Sequence, residues 1–470
     1  MIRMTLAEVT HAVGGTLHLH ASDTPDTVVS GVVDTDSREM TPGSVFVAKP
    51  GDSTDGHLFV DSAAAAGAIL AIVERPVDAS VSQVVVPDAV AALAALAREV
   101  VARVRAGGGL RVVGITGSNG KTTTKNMLAR ILSDEGPTVA PRASFNNEVG
   151  APVTMLRVDE DTRFLVSELG ASRPGRIAEL AALITPDVGA VLMVGLAHAG
   201  GFGGVEATQK AKQELVESVR PGGVAVLNRD DPRVAAMAAA AAERGVSVRW
   251  FGRGPEADVR AEDVEVTASG TQCTVVANGE RVPLRLRVLG EHHVMNALAA
   301  ITIAGVFGVS VADAIARLET VEIAERWRMQ PLGSDRVRII NDAYNASPDS
   351  MAAALRTVAQ ITEPGQRKVA VLGAMSELGE QAGEEHDRVG LQAVRLRYER
   401  IVVIGQAARR LYLAAISEGS WDGEAVFFET ADEAFEYLQG ELRDGDRVLV
   451  KSSNSAGLRF LGDRLGESFS

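Results

Sequence analysis

Runs of apolar residues along the first hundred positions predict short strands and two helices. The opening MTLAEVTHAV has apolar residues at helical spacing, and we expect this helix to end near Gly14, because glycine tolerates the left-handed backbone that ends helices. An Ala-rich run over residues 88–105 predicts a longer helix. Gly107, Gly108 and Gly109 then break the pattern and mark a boundary. The predicted strands are TVVSGVV (27–33), SVFVAK (44–49), AILAIV (68–73) and SQVVV (82–86).

From Leu110 onward, apolar strand segments alternate with helical segments. This alternation predicts a parallel sheet with helices on both faces. Residues 258–289 alternate apolar and polar positions, which predicts antiparallel strands, and a helix over residues 293–306 closes the region. The predicted parallel strands are LRVVGIT (110–116), RFLVSE (163–168), VGAVLMV (188–194) and GVAVLN (223–228).

A third set of strands begins near Arg326 and predicts a second unit of the nucleotide-binding type. Its strands are RVRIIND (336–342), KVAVLG (368–373), RIVVIG (400–405), AVFFET (425–430) and RVLVK (447–451), with helices over 350–360, 384–397 and 431–442. A chain of 470 residues is too long for one ordinary core. The fold prediction is therefore α/β with three domains: a smaller N-terminal α/β domain (1–107), a central P-loop-type parallel-sheet domain (108–323) and a C-terminal Rossmann-like domain (324–470).

Composition narrows the range of partners. The formal net charge of −14 argues against nucleic acid or an anionic membrane as a partner, although a local basic pocket for phosphates is compatible with it. The lone cysteine, Cys273, excludes an intrachain disulfide and fits a reducing compartment. The N-terminus has no apolar signal-peptide core, and no apolar stretch is long enough to span a bilayer. We therefore expect a cytoplasmic protein without membrane insertion.

The strongest single motif is a glycine-rich loop between a strand and a helix. Gly117 and Gly120 let successive backbone N–H groups converge on phosphate oxygens, and the following helix adds its positive N-terminal dipole. Lys121 supplies a cation for the β and γ phosphates, and the Thr122 hydroxyl can ligate magnesium. Ile115 stands where the general pattern has glycine, so this is a variant P-loop. We expect ATP to contact Thr116, Gly117, Ser118, Asn119, Gly120, Lys121, Thr122 and Thr123.

Two further side chains lie at the carboxyl ends of predicted parallel strands, on the same rim of the sheet as the glycine-rich loop. Glu168 ends RFLVSE and His198 follows VGAVLMV, so both are placed near the phosphate loop. Glutamate is a good magnesium ligand, whereas histidine is a poorer one. Downstream, Lys210 and Lys212 lie on a predicted helix, and the residue pattern alone favours solvated surface lysines.

The chain resembles the Mur ligase family, and within it the MurF branch, over nearly its whole length. TGSNGKTTTK (116–125) is similar to the family's phosphate loop. The N-terminal VVDTDSREMTPGSVFVAKPGDSTDGHLF (32–59) resembles the uridine-nucleotide-binding domain of that branch. The other matching segments, in order, are FNNEVGAPVTML (145–156), SELGASRPGRIAEL (167–180), AHAGGFGGVEATQKAKQEL (197–215), GEHHVMNALAA (290–300), INDAYNASPDSM (340–351) and VLGAMSELGEQAGEEH (371–386).

The resemblance implies roles for individual residues. The three domains would bind the UDP-sugar substrate, hydrolyse ATP and close over the site. Lys121 and Lys212 become catalytic together with His198 and Glu168, and Lys212 would form a carbamate with carbon dioxide. The implied magnesium ligands are Thr122, Glu168, His198 and the Lys212 carbamate. Asn296 would face adenine, and Arg328 and Asp342 would add nucleotide contacts; the implied substrate-binding residues are Ser37, Arg38, Asn146, Asn147, Tyr344 and Asn345.

Three positions depart from the family pattern. His293 stands where asparagine is common, Asn341 where aspartate is common, and Asn454 where arginine is common. The change at Asn454 affects the expected substrate contacts of the third domain. His386 has two readings: it orients a substrate, or it caps a helix.

The implied activity is ATP-dependent addition of D-alanyl-D-alanine to UDP-N-acetylmuramoyl-tripeptide through an acyl phosphate, the last cytoplasmic step of peptidoglycan precursor synthesis. A monomer with ATP and Mg²⁺ as cofactors is expected. Alternatives are another Mur branch, a folylpolyglutamate synthetase, a kinase, or a regulatory protein that uses the loop as a switch. Asp36, Ser37, Arg38 and the DGH segment (55–57) favour a UDP-sugar substrate over the other two ligases; the alternative for these residues is an ordinary polar turn. The third residue of the tripeptide, diaminopimelate or lysine, stays open.

Overall fold

The computed structural model describes residues 1–21, 23–51, 54–142, 144–171, 173–196, 204–321, 326–418 and 424–470. Within these residues the strands form three large mixed or mainly parallel sheets and one two-stranded sheet. Helices cover these sheets, and the α/β class predicted from the alternation of strands and helices is confirmed. The boundaries at 107/108 and 323/324 remain predictions, and residues 322–325 lie outside the described residues.

The N-terminal sheet has the strand order β2-β7-β6-β5-β4 and is parallel except for β2. The predicted single strand over 27–33 is wrong: Val28–Val29 pairs with Met4–Thr5, whereas Val33–Asp34 joins the larger sheet. The chain turns between them because Gly31 packs against the Gly43 backbone, where a side chain would not fit. The elements are β1 Met4–Thr5, α1 Leu6–Val13, β2 Thr16–His18, β3 Val28–Val29, β4 Val33–Asp34, β5 Ser44–Val47, α2 Val60–Ala65, β6 Ala68–Val73, β7 Ser82–Val85 and α3 Ala89–Ala106.

Local signals explain both predicted N-terminal helices. Thr5 and Glu8 form a capping box at the start of α1, and the helix ends at Gly14 with φ of 66°, as predicted. Asp88 caps α3 by accepting from two backbone N–H groups. The apolar face of α3 shares one core with Leu165 of the central sheet, so the first two regions pack together without a solvent layer.

The central sheet has the order β16-β15-β14-β13-β12-β11-β8-β10-β9. Strands β8 to β14 are parallel, and β14, β15 and β16 pair antiparallel, as predicted for residues 258–289. The strands are β8 Arg111–Thr116, β9 Thr138–Val139, β10 Phe164–Glu168, β11 Val188–Val191, β12 Val224–Asn228, β13 Ser247–Gly252, β14 Val259–Thr267, β15 Gly270–Ala277 and β16 Glu280–Leu286. The described helices are α4 Lys121–Ser133, α5 Gly150–Met155, α6 Arg176–Ile184, α7 Val205–Ser218, α8 Pro232–Ala235, α9 Ala238–Glu243, α10 Glu291–Val306 and α11 Val311–Leu318.

The C-terminal sheet has the order β17-β18-β22-β19-β20-β21 and is parallel except at β17. The five predicted strands are found, together with β17. The strands are β17 Gln330–Gly333, β18 Arg338–Asn341, β19 Arg367–Leu372, β20 Arg400–Ile404, β21 Ala425–Phe428 and β22 Asp446–Lys451. The helices are α12 Pro348–Ile361, α13 Ala382–Arg395, α14 Arg409–Glu418, α15 Ala431–Glu441 and α16 Leu458–Ser468.

Strand β8 lies between β10 and β11 in the central sheet. The chain leaves β8 toward β9 and β10 on one side and returns to β11 on the other, so a crevice opens at the carboxyl end of β8. The glycine-rich loop follows β8 directly. The sheet therefore places this loop where ligands bind in open α/β folds.

Candidate active site

The glycine-rich loop connects the last residue of β8, Thr116, to the start of α4 at Lys121. Gly120 has φ of 85°, and a Cβ atom there would overlap Asn296 of α10. Glycine is therefore required both by the left-handed backbone and by the close approach of α10. The Lys121 ammonium donates to the Gly117 carbonyl at 2.7 Å, which folds the side chain back over the loop. Lys121, Thr122 and Thr123, at the start of α4, line a cavity, and the N-terminus of a helix favours the binding of anions such as phosphate.

A cavity of about 1060 Å³ opens above this loop, between the central and C-terminal sheets. Four of the predicted residues do not line the cavity. Thr116 ends β8 and Gly117 begins the loop, and neither belongs to the cavity wall. Ser37 and Arg38 lie in the N-terminal region, where Arg38 pairs with Asp36. His198 lies outside the described residues. The predicted residues that do line the cavity are Ser118, Asn119, Gly120, Lys121, Thr122, Thr123, Asn146, Asn147, Glu168, Lys212, Asn296, Arg328, Asp342, Tyr344 and Asn345.

Glu168 is the last residue of β10 and is almost fully buried beside the loop. Its Oε1 atom accepts from Asn146 Nδ2 at 2.7 Å, whereas Oε2 has no hydrogen-bond partner among the described residues. A buried carboxylate oxygen without a donor is costly unless a cation or a ligand donor meets it. Thr122 Oγ1 lies on the same cavity wall, 3.0 Å from Ser144 Oγ. In the described part of the chain, no three His, Cys, Asp or Glu side chains form a metal-binding group, so a cation here would also need other oxygen donors.

Lys212 is 5% exposed and lines the cavity, so the reading of this residue as a surface lysine is wrong. Lys210 is exposed, as that reading expected. The two residues differ because positions two apart point to opposite sides of a helix, and α7 buries Ala211, Leu215 and Lys212 against the sheet. Burial, reinforced by the positive charge of Lys121, lowers the pKa of Lys212 to about 7. A neutral amine is therefore available near neutral pH.

The C-terminal region contributes Arg328, whose Nη2 atom donates to Thr122 Oγ1 at 3.2 Å and to Ser144 Oγ at 3.1 Å. The guanidinium stacks on the Tyr344 ring at 4.1 Å. Its neighbours Trp327 and Met329 have φ of 65° and 48°, which are strained for residues with side chains. This strained backbone directs the guanidinium at the phosphate loop.

Asp342 joins this wall through two contacts. Its Oδ1 atom accepts from the Met329 N–H at 3.0 Å, and its Oδ2 atom accepts from the Lys451 ammonium at 2.5 Å. Lys451 also donates to the Asn345 carbonyl at 3.1 Å and is almost fully buried. The sequence did not single out Lys451, because an apolar strand ending in lysine does not reveal what the lysine contacts.

Three family models cover most of the chain: the Mur ligase family catalytic domain matches residues 31–106, the Mur ligase middle domain 115–304 and the Mur ligase glutamate ligase domain 327–454. The UDP-N-acetylmuramoyl-tripeptide–D-alanyl-D-alanine ligase of Mycobacterium tuberculosis (strain ATCC 25618 / H37Rv) is 41% identical, over 99% of this chain and 98% of the relative. This chain belongs to the Mur ligase family.

Further relatives and solved structures of the same family are also similar to this Mur ligase. The enzyme of the same name from Escherichia coli (strain K12) is 34% identical over 97% of each chain. Among solved structures, MurF from Acinetobacter baumannii superposes with a TM-score of 0.87 at 32% identity over 99% of each chain. MurF ligase from Thermotoga maritima in complex with ADP gives 0.80 at 27% identity, covering 93% of this chain and 98% of that one.

The sequence of this Mur ligase predicted no segment long and apolar enough to span a bilayer. Within the part of the chain that the structure describes, no helix combines the length and the apolar character needed to cross a bilayer.

Two residues at the start of α12 in this Mur ligase contact loops of the central region and were missed by the sequence analysis: Ser347 meets the phosphate loop, and Asp349 meets the segment after β11. Ser347 Oγ donates to Asn119 Oδ1 at 3.2 Å, and Asp349 Oδ2 accepts from the Leu196 N–H at 3.3 Å. A Cβ atom on Gly195 would overlap the Asp349 carboxylate. The Ser-Pro pair at 347–348 signals a helix start, since Ser347 caps α12, but no local pattern predicts which loop that helix start contacts.

The departures from the family pattern have different structural settings in this Mur ligase. Asn341 donates to the Arg459 carbonyl at 2.9 Å and to Asp463 Oδ1 at 3.1 Å, so it ties β18 to α16. Asn454 is exposed and begins a 3₁₀ turn by accepting from the Gly457 N–H at 3.2 Å. Neither residue lines the cavity.

His293, by contrast, lines the cavity at 5% exposure, and its two ring nitrogens have no hydrogen-bond partner among the described residues. Its ring packs against that of His292 with centroids 4.1 Å apart. Burial, followed by the charges of His292 and Arg328, holds the pKa of His293 well below its usual range. The imidazole is therefore neutral, with one donor and one acceptor available to a ligand.

Proposed function

We propose that this Mur ligase joins D-alanyl-D-alanine to UDP-N-acetylmuramoyl-tripeptide at the expense of ATP, as the final step in assembling a peptidoglycan precursor. The observation that carries this proposal is one cavity that combines a triphosphate-type loop, the unpartnered oxygen of Glu168 and the buried Lys212. The relatives from Mycobacterium tuberculosis and Escherichia coli are named for that same ligase reaction. The neighbour from Thermotoga maritima was solved with ADP, which supports ATP as the phosphoryl donor.

In the first half-reaction, a carboxylate oxygen of the tripeptide attacks the γ-phosphorus of ATP, and ADP leaves. Negative charge spreads over the transferring phosphoryl oxygens, so positive groups around them lower the barrier. Lys121 and Arg328 bring two cations to the loop and the start of α4, where backbone N–H groups would supply further donors. The product is an acyl phosphate, whose carbonyl carbon is a far better electrophile than a carboxylate.

In the second half-reaction, the amine of the dipeptide attacks the acyl carbon, inorganic phosphate leaves, and the amine nitrogen loses its proton as the amide forms. Water would compete for the same carbon. Ser347 and Arg328 hold the C-terminal region against the phosphate loop and the start of α4, and Asp349 holds it against the segment after β11. These contacts would help to exclude water during the reaction.

The donor set fits a magnesium ion. Glu168 Oε2 lacks a partner among the described residues, Thr122 Oγ1 lines the same cavity, and a carbamate on Lys212 would replace an ammonium by an anionic oxygen ligand. We propose these three groups, with His198, as the magnesium ligands. When bound, the ion would supply positive charge next to the transferring phosphate.

Further parts of the proposal follow from the same assignment. In domain 1–107, Ser37 and Arg38 would contact the UDP-sugar. In the cavity, Asn296 would face adenine. The substrates there would be contacted by Asn146, Asn147, Tyr344 and Asn345. Domains 108–323 and 324–470 would close on each other. The protein would act as a cytoplasmic monomer.

The test measures phosphate release from magnesium-ATP by the purified protein, with UDP-N-acetylmuramoyl-tripeptide and D-alanyl-D-alanine supplied separately and together. We expect release that requires both, with a product heavier than the tripeptide substrate by one dipeptide less water. Tripeptides ending in diaminopimelate or lysine are compared in parallel. Release that is independent of the dipeptide, or a stable phosphorylated product, would refute the ligase assignment and favour a nucleotide switch or a kinase.

A further inference from the structure

His386 lies in the first turns of α13 and is 3% exposed. Its Nδ1 atom lies 2.6 Å from the Ala382 carbonyl oxygen, and its Nε2 atom lies 3.0 Å from the Met375 backbone nitrogen. A carbonyl oxygen only accepts and a backbone N–H only donates. The proton must therefore be on Nδ1 and the lone pair on Nε2. Both contacts exist together only in the neutral ring with this one tautomer.

The residue that His386 holds, Met375, belongs to the loop between β19 and α13. This loop is also tied to the chain after β22, where the Ser453 N–H donates to the Ala374 carbonyl at 2.9 Å and the Ser376 and Ser455 hydroxyls lie 2.8 Å apart. We call residues 373–379 the β19 loop. Its shape depends on contacts from two elements, α13 and the segment after β22.

The β19 loop forms one wall of the active-site cavity. Glu377 and Gly379 line the cavity, and Glu377 has φ of 62°, which a residue with a side chain adopts only when its surroundings hold it there. Arg388, two residues beyond His386 on α13, also lines the cavity, and its Nε atom lies 3.4 Å from Glu385 Oε2. Side chains of both charge signs therefore line the cavity near the β19 loop and α13, where a zwitterionic dipeptide would bind.

The remaining cavity walls have other occupants under the proposed function. The phosphate loop and Asn296 lie where the nucleotide would bind. Glu168, at the end of β10, and Asn146, which donates to it from the loop before α5, also line the cavity. The β19 loop belongs to the C-terminal sheet on the opposite wall. Tyr344 and Asn345, proposed above as substrate contacts, lie on this C-terminal side as well. The second substrate would therefore bind on this side, away from the nucleotide.

We propose that His386 is a positioning residue that fixes the β19 loop in the conformation that receives the amine-bearing dipeptide. The inference rests on the proposed function and deepens it. It favours the first of the two readings of His386, in an indirect form. The ring accepts from Met375 of the loop and does not line the cavity, so it would orient the substrate through the loop.

Protonation would break this arrangement. A proton on Nε2 would face the Met375 N–H, so that two donors would meet and the bond to the loop would be lost. Burial lowers the pKa of His386; the Ala382 carbonyl and Asp387 oppose this effect, and Arg410 of α14 adds to it. Other charged groups on α13 and on the elements around it include Glu384, Glu385 and Arg388 on α13, Glu377 on the β19 loop, Arg409 on α14 and Asp349 on α12. The loop is therefore held above the folded pKa of His386 and released as pH falls through it.

The experiment compares His386→Leu, His386→Gln and a control, Tyr398→Phe. Leucine removes the acceptor, whereas the glutamine amide can accept from Met375 and donate to Ala382 without titrating. Tyr398 is buried in the same core and donates to the Leu355 carbonyl at 2.8 Å, so its variant loses one buried hydrogen bond without touching the β19 loop. Steady-state kinetics are measured for ATP, the UDP-tripeptide and the dipeptide, from about pH 8 to about pH 5.5.

We expect His386→Leu to raise the KM for D-alanyl-D-alanine by roughly ten- to a hundredfold, with KM for ATP changed less than about threefold. His386→Gln should recover most of this loss. It should also remove the rise in dipeptide KM that we expect of the parent protein as pH falls below the usual histidine range. Tyr398→Phe should leave all three KM values near those of the parent.

Equal changes in all KM values, or a glutamine variant as impaired as the leucine variant, would overturn the positioning role. A leucine variant with unchanged dipeptide KM would overturn it as well. Failure of the proposed function is a different result, because the parent protein would then form no product containing the dipeptide.

Discussion

The Nη2 atom of Arg328 lies 3.2 Å from Oγ1 of Thr122, which joins the C-terminal region directly to the hydroxyl at the start of α4. The same nitrogen donates to Ser144, and the Tyr344 ring supports the guanidinium from one face. Thr122 is a proposed magnesium ligand, so the position of the C-terminal region and the state of the phosphate loop are coupled through one side chain.

Replacing Arg328 by lysine tests this coupling. Lysine keeps the charge but loses the planar fork that contacts two hydroxyls and stacks on Tyr344. We expect Arg328→Lys to raise KM for ATP about tenfold and to lower kcat, measured by phosphate release. The matched control is Arg326→Lys, two residues away, where an exposed arginine pairs with Asp463. Equal effects at both positions would contradict the coupling.

The variant Gly195→Ala tests the contact between α12 and the segment that follows β11. Because a Cβ atom there would overlap the Asp349 carboxylate, Gly195→Ala should push α12 away from the phosphate loop. We expect kcat to fall about tenfold or more while nucleotide affinity, measured by calorimetry, changes less than about threefold. The double variant with Asp349→Ala should be no worse than Asp349→Ala alone, since the clash is then removed. Additive losses in this cycle would show that the clash is not the cause.

The lowered pKa of Lys212 gives a pH prediction for carbamate formation. Only the neutral amine reacts with carbon dioxide, and a pKa of about 7 means that the neutral fraction grows as pH rises through 7 and falls below it. With ¹³C-labelled bicarbonate, we expect a carbamate carbonyl signal in NMR that strengthens over this range, and activity that drops when carbon dioxide is removed. Lys212→Met should lose both, whereas Lys210→Met should keep both. A carbamate signal that persists in Lys212→Met would reject this lysine as its site.

Asp446 gives a prediction about stability. Its side chain is fully buried and accepts from Arg367 at 2.8 and 2.7 Å and from the Arg443 N–H at 3.0 Å. Asp446→Ala removes one of the two carboxylate partners of the half-buried Arg367 guanidinium, which keeps only Glu441. We expect a loss of about 3 kcal/mol in the free energy of unfolding. Asp444→Ala removes an exposed pair with Arg336 and should cost no more than about 1 kcal/mol. Urea denaturation of both variants measures the difference, and similar losses would contradict it.

Much of the fold is predictable because its signals are local. The strand, glycine loop and helix around Lys121 follow one another in the sequence, and Glu168 can be placed at the rim because it directly follows an apolar strand. The single strand predicted over 27–33 was wrong because its pairing depends on Gly31 meeting a distant turn at Gly43. The hydrophobic period and the turn residues of a segment predict its secondary structure, whereas the strand with which it pairs depends on the whole chain.

The sequence by itself determined the order of strands and helices, the phosphate loop and the family resemblance, since these depend on residues close together or on whole motifs. Only the tertiary structure decided that Lys212 is buried while Lys210 is exposed, that Asp349 meets Gly195, and that His386 carries its proton on Nδ1. The physical reason is that burial, charge and tautomer are set by atoms that lie far apart in sequence and become neighbours only when the sheets pack together.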